Sequence, residues 1–257
     1  MPRLVLLAHP AVRSAVAREV GRDIEYHERI ESTQSRAREL ARDGATRGIV
    51  VADEQTAGRG TADRTWLAAK GTGLLASWIV RPAPAAPALF AALAGLAVAR
   101  ALDALGCDGA RLKWPNDVEL DGRKVAGVLA HGTSDGTGGS IVLGIGVNVH
   151  QRASDLPAEI RDTATSLAIS SRPVDRLALL ARITAELDRL ADPSALIAAR
   201  DEWQRRSSVI GESVDVTVPG RVSFTGTATS IDEEGALLVR AGTHVERIVA
   251  GEVRRRG

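Results

Sequence analysis

The pattern of apolar and polar positions divides the chain into a long mixed region and a short β-rich region. In the first region, runs with helical or strand-like periodicity are separated by Gly, Pro and Asp. Ser32 or Thr33 caps the first predicted helix, Gly44 ends it, and Pro173 opens a later one. This pattern predicts helices over 32–43, 88–105, 173–190 and 194–205, and strands over 48–52, 74–80 and 140–149.

Residues 112–132 are typical of a β-hairpin, with Asp121-Gly122 as its two-residue turn. From Ser208 onward no helical period remains, and four or five short strands follow, over 214–218, 222–231, 236–239 and 245–249. We therefore expect two domains, 1–207 and 208–257. The first mixes helices and strands without regular alternation, which indicates an α+β fold. The second is predicted to be a small β-barrel.

Composition narrows the choice of partners and compartment. The chain has 257 residues and a net charge of +1, so no polyanionic partner is expected. A single cysteine, Cys107, allows no intramolecular disulfide and fits a reducing compartment. No apolar run reaches the ~18 residues of a membrane span. We expect a soluble cytoplasmic protein.

A long segment over 53–73 has neither helical nor strand periodicity, and loops of this length in compact domains are usually functional. Gly58 and Gly60 would let backbone N–H groups approach an anion, and Arg59 and Arg64 would add charge-assisted contacts. The spacing fits neither the dinucleotide fingerprint nor the P-loop. From composition alone, a solvated surface loop explains it equally well.

Lysine is scarce, since only three of the 33 basic residues are lysine: Lys70, Lys113 and Lys124. Two of these lie in a second segment, Lys113-Trp114-Pro115-Asn116-Asp117, followed by Gly122-Arg123-Lys124-Val125-Ala126-Gly127. This set could bind ATP phosphates and magnesium, or it could be a rigid turn with a Lys–Asp pair. A third segment, Gly144-Ile145-Gly146-Val147-Asn148, indicates close backbone approach or only a bulge.

Together these stretches resemble the biotin–protein ligase family. The family loop reads Gly-Arg-Gly-Arg-x-Gly-Arg-x-Trp, its second signature is Lys-Trp-Pro-Asn-Asp with a hairpin and Lys-x-Ala-Gly, and its third is Gly-x-Gly-x-Asn. All three occur here in family order, and Glu31-Ser32-Thr33-Gln34 resembles the family's Ser-Thr-Asn segment. The likeness extends to Trp203 and Ala250-Gly251-Glu252-Val253, so it covers nearly the whole chain.

The resemblance implies a mixed β-sheet catalytic domain of the biotin/lipoate ligase type, similar in fold to class II aminoacyl-tRNA synthetases. An SH3-like β-barrel would follow it. The implied enzyme adenylates biotin with ATP and transfers it to a lysine of the biotin carboxyl carrier domain of a biotin-dependent carboxylase. A lipoate or other acyl-carrier ligase of the same fold is the nearest alternative, and the Lys-Trp-Pro-Asn-Asp string argues against it.

Family roles carry over position by position. The resemblance assigns biotin binding to Ser32, Thr33, Gln34, Gln55, Arg59, Gly60, Thr61, Lys124 and Gly127. It assigns ATP binding to Arg64, Trp66, Lys113, Asn116 and Asn148. We expect Lys124 and Arg59 to offset charge as the biotin carboxylate attacks the α-phosphate, and Asp117 to orient the acceptor amine. Mg²⁺ is expected with the departing pyrophosphate, and no residue is assigned as a metal ligand.

One departure from the family pattern lies in the loop, where Thr61 replaces an arginine and Asp63 replaces a glycine. Losing a cation beside a phosphate site predicts looser retention of the adenylate, unless Asp63, Arg64 and magnesium rebuild the lost contact. Other function classes fit less well. About thirty residues precede Ser32, too few for a three-helix DNA-binding domain, so we expect a monofunctional enzyme without nucleic acid or membrane partners. An inactive carrier-binding module is disfavoured by Lys124 and Arg59. We expect a monomer or weak homodimer.

Overall fold

A seven-stranded mixed β-sheet forms the centre of the larger part of the protein. The structure is a computed structural model that describes residues 3–61, 64–84, 86–133 and 139–256. Within these ranges the α-helices are α1 (Pro10–Val20), α2 (Thr33–Arg42), α3 (Pro87–Asp103), α4 (Arg176–Leu190) and α5 (Leu196–Arg206). Short 3-10 helices cover Arg3–Ala8, Ala153–Asp155, Ala158–Ile160 and Pro193–Ala195.

The strands follow in two groups. In the described residues those of the large sheet are β1 (Asp23–His27), β2 (Gly48–Ala52), β3 (Gly73–Val80), β4 (Arg111–Lys113), β5 (Asp117–Leu120), β6 (Arg123–Thr133) and β7 (Ser140–Asn148). Their spatial order is β1-β2-β3-β7-β6-β5-β4, with β1 and β2 parallel and the other neighbours antiparallel.

Alternate residues of the central strands face opposite layers of helices. On β3, Trp78 belongs to the main core together with α3 and α4, whereas Ile79 packs with Val50 and Val142 against α2. Leu75 and Ser77 have the same parity as Ile79, so they lie on the α2 face. The apolar helices α3 and α4 therefore cover one face of the sheet. On the other face α2 covers only part of the sheet, and space remains beside it.

The second group is a five-stranded antiparallel sheet. Its strands are β8 (Ser213–Thr217), β9 (Phe224–Ile231), β10 (Leu237–Ala241), β11 (His244–Ile248) and β12 (Glu252–Arg255), in the order β11-β10-β9-β8-β12. The α+β class and the C-terminal group of short strands are both as expected from the apolar pattern. No helix in the described ranges has the length and apolarity needed to cross a membrane.

Two differences from the sequence expectation concern helix starts. The helix expected from Pro173 begins at Arg176, because the carboxylate of Asp175 accepts hydrogen bonds from Leu177 N at 3.1 Å and Ala178 N at 2.9 Å. The helix expected from Ser194 begins at Leu196, after a short 3-10 turn. In addition, α1 and β1 were not predicted at all.

Candidate active site

A cavity of about 730 Å³ opens on the α2 face of the large sheet. Its walls come from the start of α2, the loop over 53–73 between β2 and β3 (the Gly/Arg loop), β3, the β4–β6 hairpin region, β7 and the start of β12. The structure brings together in this one cavity every residue assigned from the sequence: Ser32, Thr33, Gln34, Gln55, Arg59, Gly60, Thr61, Arg64, Trp66, Lys113, Asn116, Asp117, Lys124, Gly127 and Asn148. Their individual roles stay predictions.

A hydrogen-bonded wall forms where α2 begins. Ser32 caps the helix by accepting from Ser35 N at 3.4 Å. The backbone N–H and hydroxyl of Thr33 both donate to Gln55 Oε1, at 2.8 and 3.0 Å. The Thr33 hydroxyl also lies 2.9 Å from Ser77 Oγ. Polar groups in this wall are thus fixed in direction before any ligand arrives. Ser77 gave no sequence signal, since it is one polar residue in an apolar strand.

Gln34 fixes the adjacent part of the wall. Its Nε2 donates to the carbonyl oxygens of Val142 at 3.1 Å and Leu129 at 3.3 Å, and its Oε1 accepts from Ser77 Oγ at 3.1 Å. A β-carbon at Gly144 would lie 2.5 Å from Gln34 Oε1. The first glycine of the third motif therefore makes room for this amide. The amide of Gln34 could therefore bind a ligand only through an atom that already has one of these protein partners.

The Gly/Arg loop folds back on itself as a small hairpin. Gly60 N donates to Arg64 O at 2.7 Å, and Trp66 N donates to Gly58 O at 3.0 Å. The guanidinium of Arg64 donates to Thr61 O at 3.3 Å and Thr61 Oγ1 at 3.4 Å. Thr61 thus holds the cation of Arg64 within the hairpin. Asp63, the other departure from the family pattern, lies outside the described residues.

Trp66 brings this hairpin onto the floor of the cavity. Gly127 and Gly146 are paired residues of β6 and β7. A β-carbon at Gly146 would lie 2.5 Å from Trp66 Cε2, and one at Gly127 would lie 3.1 Å from Trp66 Cζ3. The indole can rest on the sheet only because both positions lack a side chain. Lys124 Nζ lies 5.6 Å from the ring centroid, within the range of a cation–π contact.

Four charged side chains meet on the β4–β6 face. The register pairs Lys113 with Asp117 and Glu119 with Lys124. Lys124 Nζ lies 2.5 Å from Asp117 Oδ1, and Lys113 Nζ lies 3.9 Å from Glu119 Oε1. The turn that sets this register has positive φ at Asp121 and Gly122, as expected for a two-residue hairpin. Glu119 is buried and was missed, because its position in the strand resembled an ordinary outward residue.

The second motif also contains residues that support the site from outside. Trp114 is buried, and its Nε1 donates to Gly235 O of the β9–β10 turn at 3.1 Å. Asn116 Nδ2 donates to Val128 O at 2.6 Å, and Val128 N donates back to Asn116 O at 2.9 Å. Trp114 therefore joins the two sheets, and Asn116 fixes its loop to β6.

Asn148 is buried at the end of β7. Its Nδ2 donates to Thr165 O at 3.0 Å, and its Oδ1 accepts from Gln151 Nε2 at 3.0 Å. The neighbouring segment 156–164 also lines the cavity. It is fixed by Lys124 N, which donates to Thr163 O at 2.8 Å. No motif or periodicity in the sequence assigns any residue of this segment to the cavity.

Two further observations concern the surroundings of the cavity. Glu252 and Arg254 of β12 line it, so the C-terminal sheet contributes to the site. The pKa of His131 is lowered, first by burial and then by the positive charges of Arg38 and Arg59. Arg38 and Arg59 therefore both place positive charge near His131.

Comparisons with known proteins cover both parts of the chain. Residues 26–148 match the biotin/lipoate A/B protein ligase family, and residues 209–256 match the biotin protein ligase C-terminal domain. The bifunctional ligase/repressor BirA of Bacillus spizizenii is 33% identical over 96% of this chain and 78% of its own length. The biotin–[acetyl-CoA-carboxylase] ligase of Paracoccus denitrificans is 33% identical over 88% of this chain and 97% of its own length.

Among solved structures, the biotin protein ligase from Aquifex aeolicus in complex with biotin and ATP superposes with a TM-score of 0.79. It is 28% identical in sequence, and the match covers 91% of this chain and 99% of that one. The likeness therefore extends over both sheets.

Proposed function

The chain belongs to the biotin/lipoate A/B protein ligase family, and we propose that its cavity joins biotin to ATP and passes the biotinyl group to a carrier lysine of a carboxylase. It is an ATP-dependent biotin protein ligase. The observation that carries this conclusion is the meeting of three separated motifs in one cavity, with Lys124 between Asp117 and Trp66. The volume lies within the ~300–1,000 Å³ of small-molecule sites.

Biotin occupies the end of the cavity near α2. Its ring system carries hydrogen-bond donors and acceptors, and the wall built from Ser32, Thr33 and Gln55 offers both kinds of group in fixed directions. Its carboxylate reaches towards Arg59 and Lys124. ATP lies beyond it, beside Lys113 and Trp66. This order follows from the family roles and is supported by the shared cavity.

The first half-reaction brings two anions together. A biotin carboxylate oxygen bonds to the α-phosphorus of ATP, while the bond to the bridging oxygen breaks and pyrophosphate leaves. Lys124 and Arg59 offset the negative charge that concentrates at the reacting phosphate. Because Lys124 is already held by Asp117 at 2.5 Å, its ammonium needs little reorganisation before it acts.

The second half-reaction transfers the biotinyl group. The acceptor amine bonds to the acyl carbon, AMP leaves with the former carboxylate oxygen, and the amine loses a proton. A lysine amine is largely protonated near neutral pH, so it needs a neighbouring carboxylate or a desolvated position. Asp117 orients this amine from beside Lys124.

Magnesium would be held by the carboxylate of Glu119. This residue lines the cavity, and its buried Oε2 has no hydrogen-bond partner among the described residues. Nucleotide-bound Mg²⁺ usually takes one or two carboxylates plus phosphate oxygens, so this donor set fits it. When bound, the ion would neutralise charge on the departing pyrophosphate.

The partner is the biotin carboxyl carrier domain of a biotin-dependent carboxylase, and the Paracoccus relative is named for acetyl-CoA carboxylase. We propose that the enzyme acts in the cytoplasm as a monomer or weak homodimer, without nucleic acid or membrane partners. The lone Cys107, which is buried, agrees with a reducing compartment.

The test is mass spectrometry of a purified carrier domain incubated with the protein, ATP and Mg²⁺, and with either biotin or lipoate. We expect a mass increase of one biotinyl group only in the biotin reaction, and none with the Lys124→Ala variant. Modification by lipoate instead of biotin would assign the neighbouring ligase activity. Modification by neither, with a carrier that a known biotin ligase accepts, would overturn the proposal.

A further inference from the structure

Arg176 lies outside the cavity, at the first position of α4, with its side chain fully buried. Its NH1 donates to Asp53 Oδ1 at 2.9 Å and to Gly73 O at 3.0 Å. Asp53 directly follows β2, and Gly73 begins β3. The whole Gly/Arg loop lies between these two acceptors, so one guanidinium nitrogen holds both ends of the loop.

Arg176, Asp53 and Gly73 form a clamp on the two ends of the loop, and other contacts complete it. The hydroxyl of Tyr26 donates to Asp53 Oδ2 at 2.7 Å, so both carboxylate oxygens are engaged. Burial raises the pKa of Tyr26, and its hydrogen bond to anionic Asp53 raises it further, so the hydroxyl stays a donor. Gly71 N donates to Asp53 O at 2.9 Å, a second tie across the loop ends.

The clamp also reaches the strand that carries Asn148. Gly73 is paired with Asn148 in the β3–β7 ladder. His150 N donates to Thr72 O at 2.7 Å, just beyond that pair. The contacts of Arg176 therefore fix the ends of the Gly/Arg loop relative to the end of β7. In the proposed function both the loop and the end of β7 contact ATP.

Packing alone does not account for this arginine. Its Nε and NH2 are buried without hydrogen-bond partners in the part of the chain that the structure describes. A buried charge with unmet donors is costly, and an apolar side chain of similar volume often replaces a buried ion pair without loss of stability. The arrangement is explained if Arg176 serves to hold the two ends of the Gly/Arg loop in place rather than to stabilise the fold.

We propose that Arg176, through Asp53, is a positioning residue that sets the ends of the Gly/Arg loop so that Arg59 and Trp66 reach the cavity. The inference rests on the proposed function, because it assigns the loop to biotin and ATP. Arg176 touches neither ligand. Without the clamp the loop opens more often, and biotin binds less tightly because closing the loop then costs free energy.

The test uses a double variant, Arg176→Met with Asp53→Asn, which leaves no unpaired charge and keeps an acceptor for Tyr26. The matched control is Arg22→Met with Asp188→Asn. That pair is also buried on the arginine side, with Arg22 NH2 2.5 Å from Asp188 Oδ1, and neither residue lines the cavity. Both variants remove the ion pair of a buried arginine that connects α4 to the end of a strand in the large sheet, and the control also removes the exposed contact of Arg47 with Asp188 Oδ1 at 3.2 Å.

The first readout is limited trypsin cleavage without ligands, with fragments identified by mass spectrometry. Cleavage after Arg59 and Arg64 in the loop is compared with cleavage after exposed Arg221, which lies between β8 and β9. We expect the loop sites to be cut at least about tenfold faster in the clamp variant and at an unchanged rate in the control. If the double variant does not fold, Tyr26→Phe removes only one contact, and we expect about threefold faster loop cleavage.

The second readout is biotin-dependent ATP–pyrophosphate exchange. We expect the KM for biotin to rise about tenfold in the clamp variant while kcat changes less, with both constants unchanged in the control. Equal loop cleavage in the two double variants, or in Tyr26→Phe and wild type, would overturn the proposal. Absence of exchange in the wild type would instead defeat the proposed function, and the cleavage experiment would still test the clamp.

Discussion

The indole of Trp66 lies directly on Gly146, so closely that a β-carbon at Gly146 would stand 2.5 Å from Cε2 of the ring. This contact joins the Gly/Arg loop to the central sheet. The backbone N–H of Trp66 closes the loop hairpin by donating to Gly58 O. Lys124 Nζ lies 5.6 Å from the centroid of the Trp66 ring. The position of the indole therefore depends on the absence of a side chain at Gly146 of β7.

Gly146→Ala should displace Trp66 and weaken ATP binding. Overpacking of this kind costs about 1–3 kcal/mol, so we expect the KM for ATP to rise roughly five- to a hundredfold in the exchange assay. Gly132→Ala is the matched control, because it lies on β6 and a β-carbon there meets nothing within 4 Å. Equal KM values in the two variants would contradict the role given to this contact.

Lys124→Ala should abolish most adenylate formation while the fold is retained. Loss of one positioned cation at the reacting phosphate costs about 2.7–4 kcal/mol, so exchange should fall by about a hundred- to a thousandfold. Lys124→Arg should also fail, because a planar guanidinium does not replace a compact ammonium. Lys70→Ala is the control, since Lys70 forms an exposed ion pair with Glu28. Activity within tenfold of wild type in either Lys124 variant would refute the assignment.

The sequence singled out many of the charged and polar residues that line the cavity, because they stand in runs without helical or strand periodicity. Lys113 to Asp117 and the Gly/Arg loop could be recognised in this way. The residues that it missed reach the site through strand pairing. Ser77 stands opposite Gly144 in the β3–β7 ladder, and this pairing puts its hydroxyl beside Gln34. No local pattern encodes such a contact.

The missed elements at the beginning of the chain have a similar explanation. On α1 only Val16 is buried, so the helix lacks a clear apolar stripe. The strand β1 alternates weakly and depends on parallel pairing with β2 over Asp23–His27. Its Tyr26 completes the contacts of Asp53, which no inspection of the loop sequence alone would suggest. Long-range contacts therefore account for most of what the sequence did not predict.

Trp114→Phe should loosen the C-terminal sheet. The change removes the donor to Gly235 O and leaves a buried acceptor unmet, at a cost of about 1–3 kcal/mol in the free energy of unfolding. We expect faster amide hydrogen exchange over 232–239. Trp78→Phe is the control, because it removes a similar hydrogen bond, to Thr184, between β3 and α4. If both variants accelerate exchange at 232–239 equally, Trp114 has no special role between the sheets.

His150 should make the protein less stable in mild acid. Burial lowers its pKa below the ordinary 6.5, and the charge of Arg176 lowers it further, so the folded state favours the neutral ring. This contribution is fully present above pH 6.5 and is lost as the pH falls from 6.5 through the lower folded-state pKa. Urea unfolding at pH 7.5 and 5.5 should show a smaller acid loss in His150→Gln than in wild type. An identical loss would show that His150 does not contribute.

The last prediction concerns Thr61, which holds the guanidinium of Arg64 through its carbonyl and hydroxyl oxygens. A family arginine is absent here, and the guanidinium of Arg64 is turned into the hairpin. One charge-assisted hydrogen bond contributes about 1.5–3 kcal/mol, so the biotinyl-adenylate should leave roughly ten- to a hundredfold faster than from Thr61→Arg. Thr61→Met separates the added charge from the added bulk and should resemble wild type. The measurement is the dissociation rate of preformed adenylate in a stopped-flow chase, with biotin on bystander proteins as a second readout. Bystanders are the better acceptors because the enzyme itself has only three lysines. If Thr61→Arg and wild type release the adenylate equally fast, and the natural enzyme labels no bystander, then the rest of the loop already compensates for Thr61.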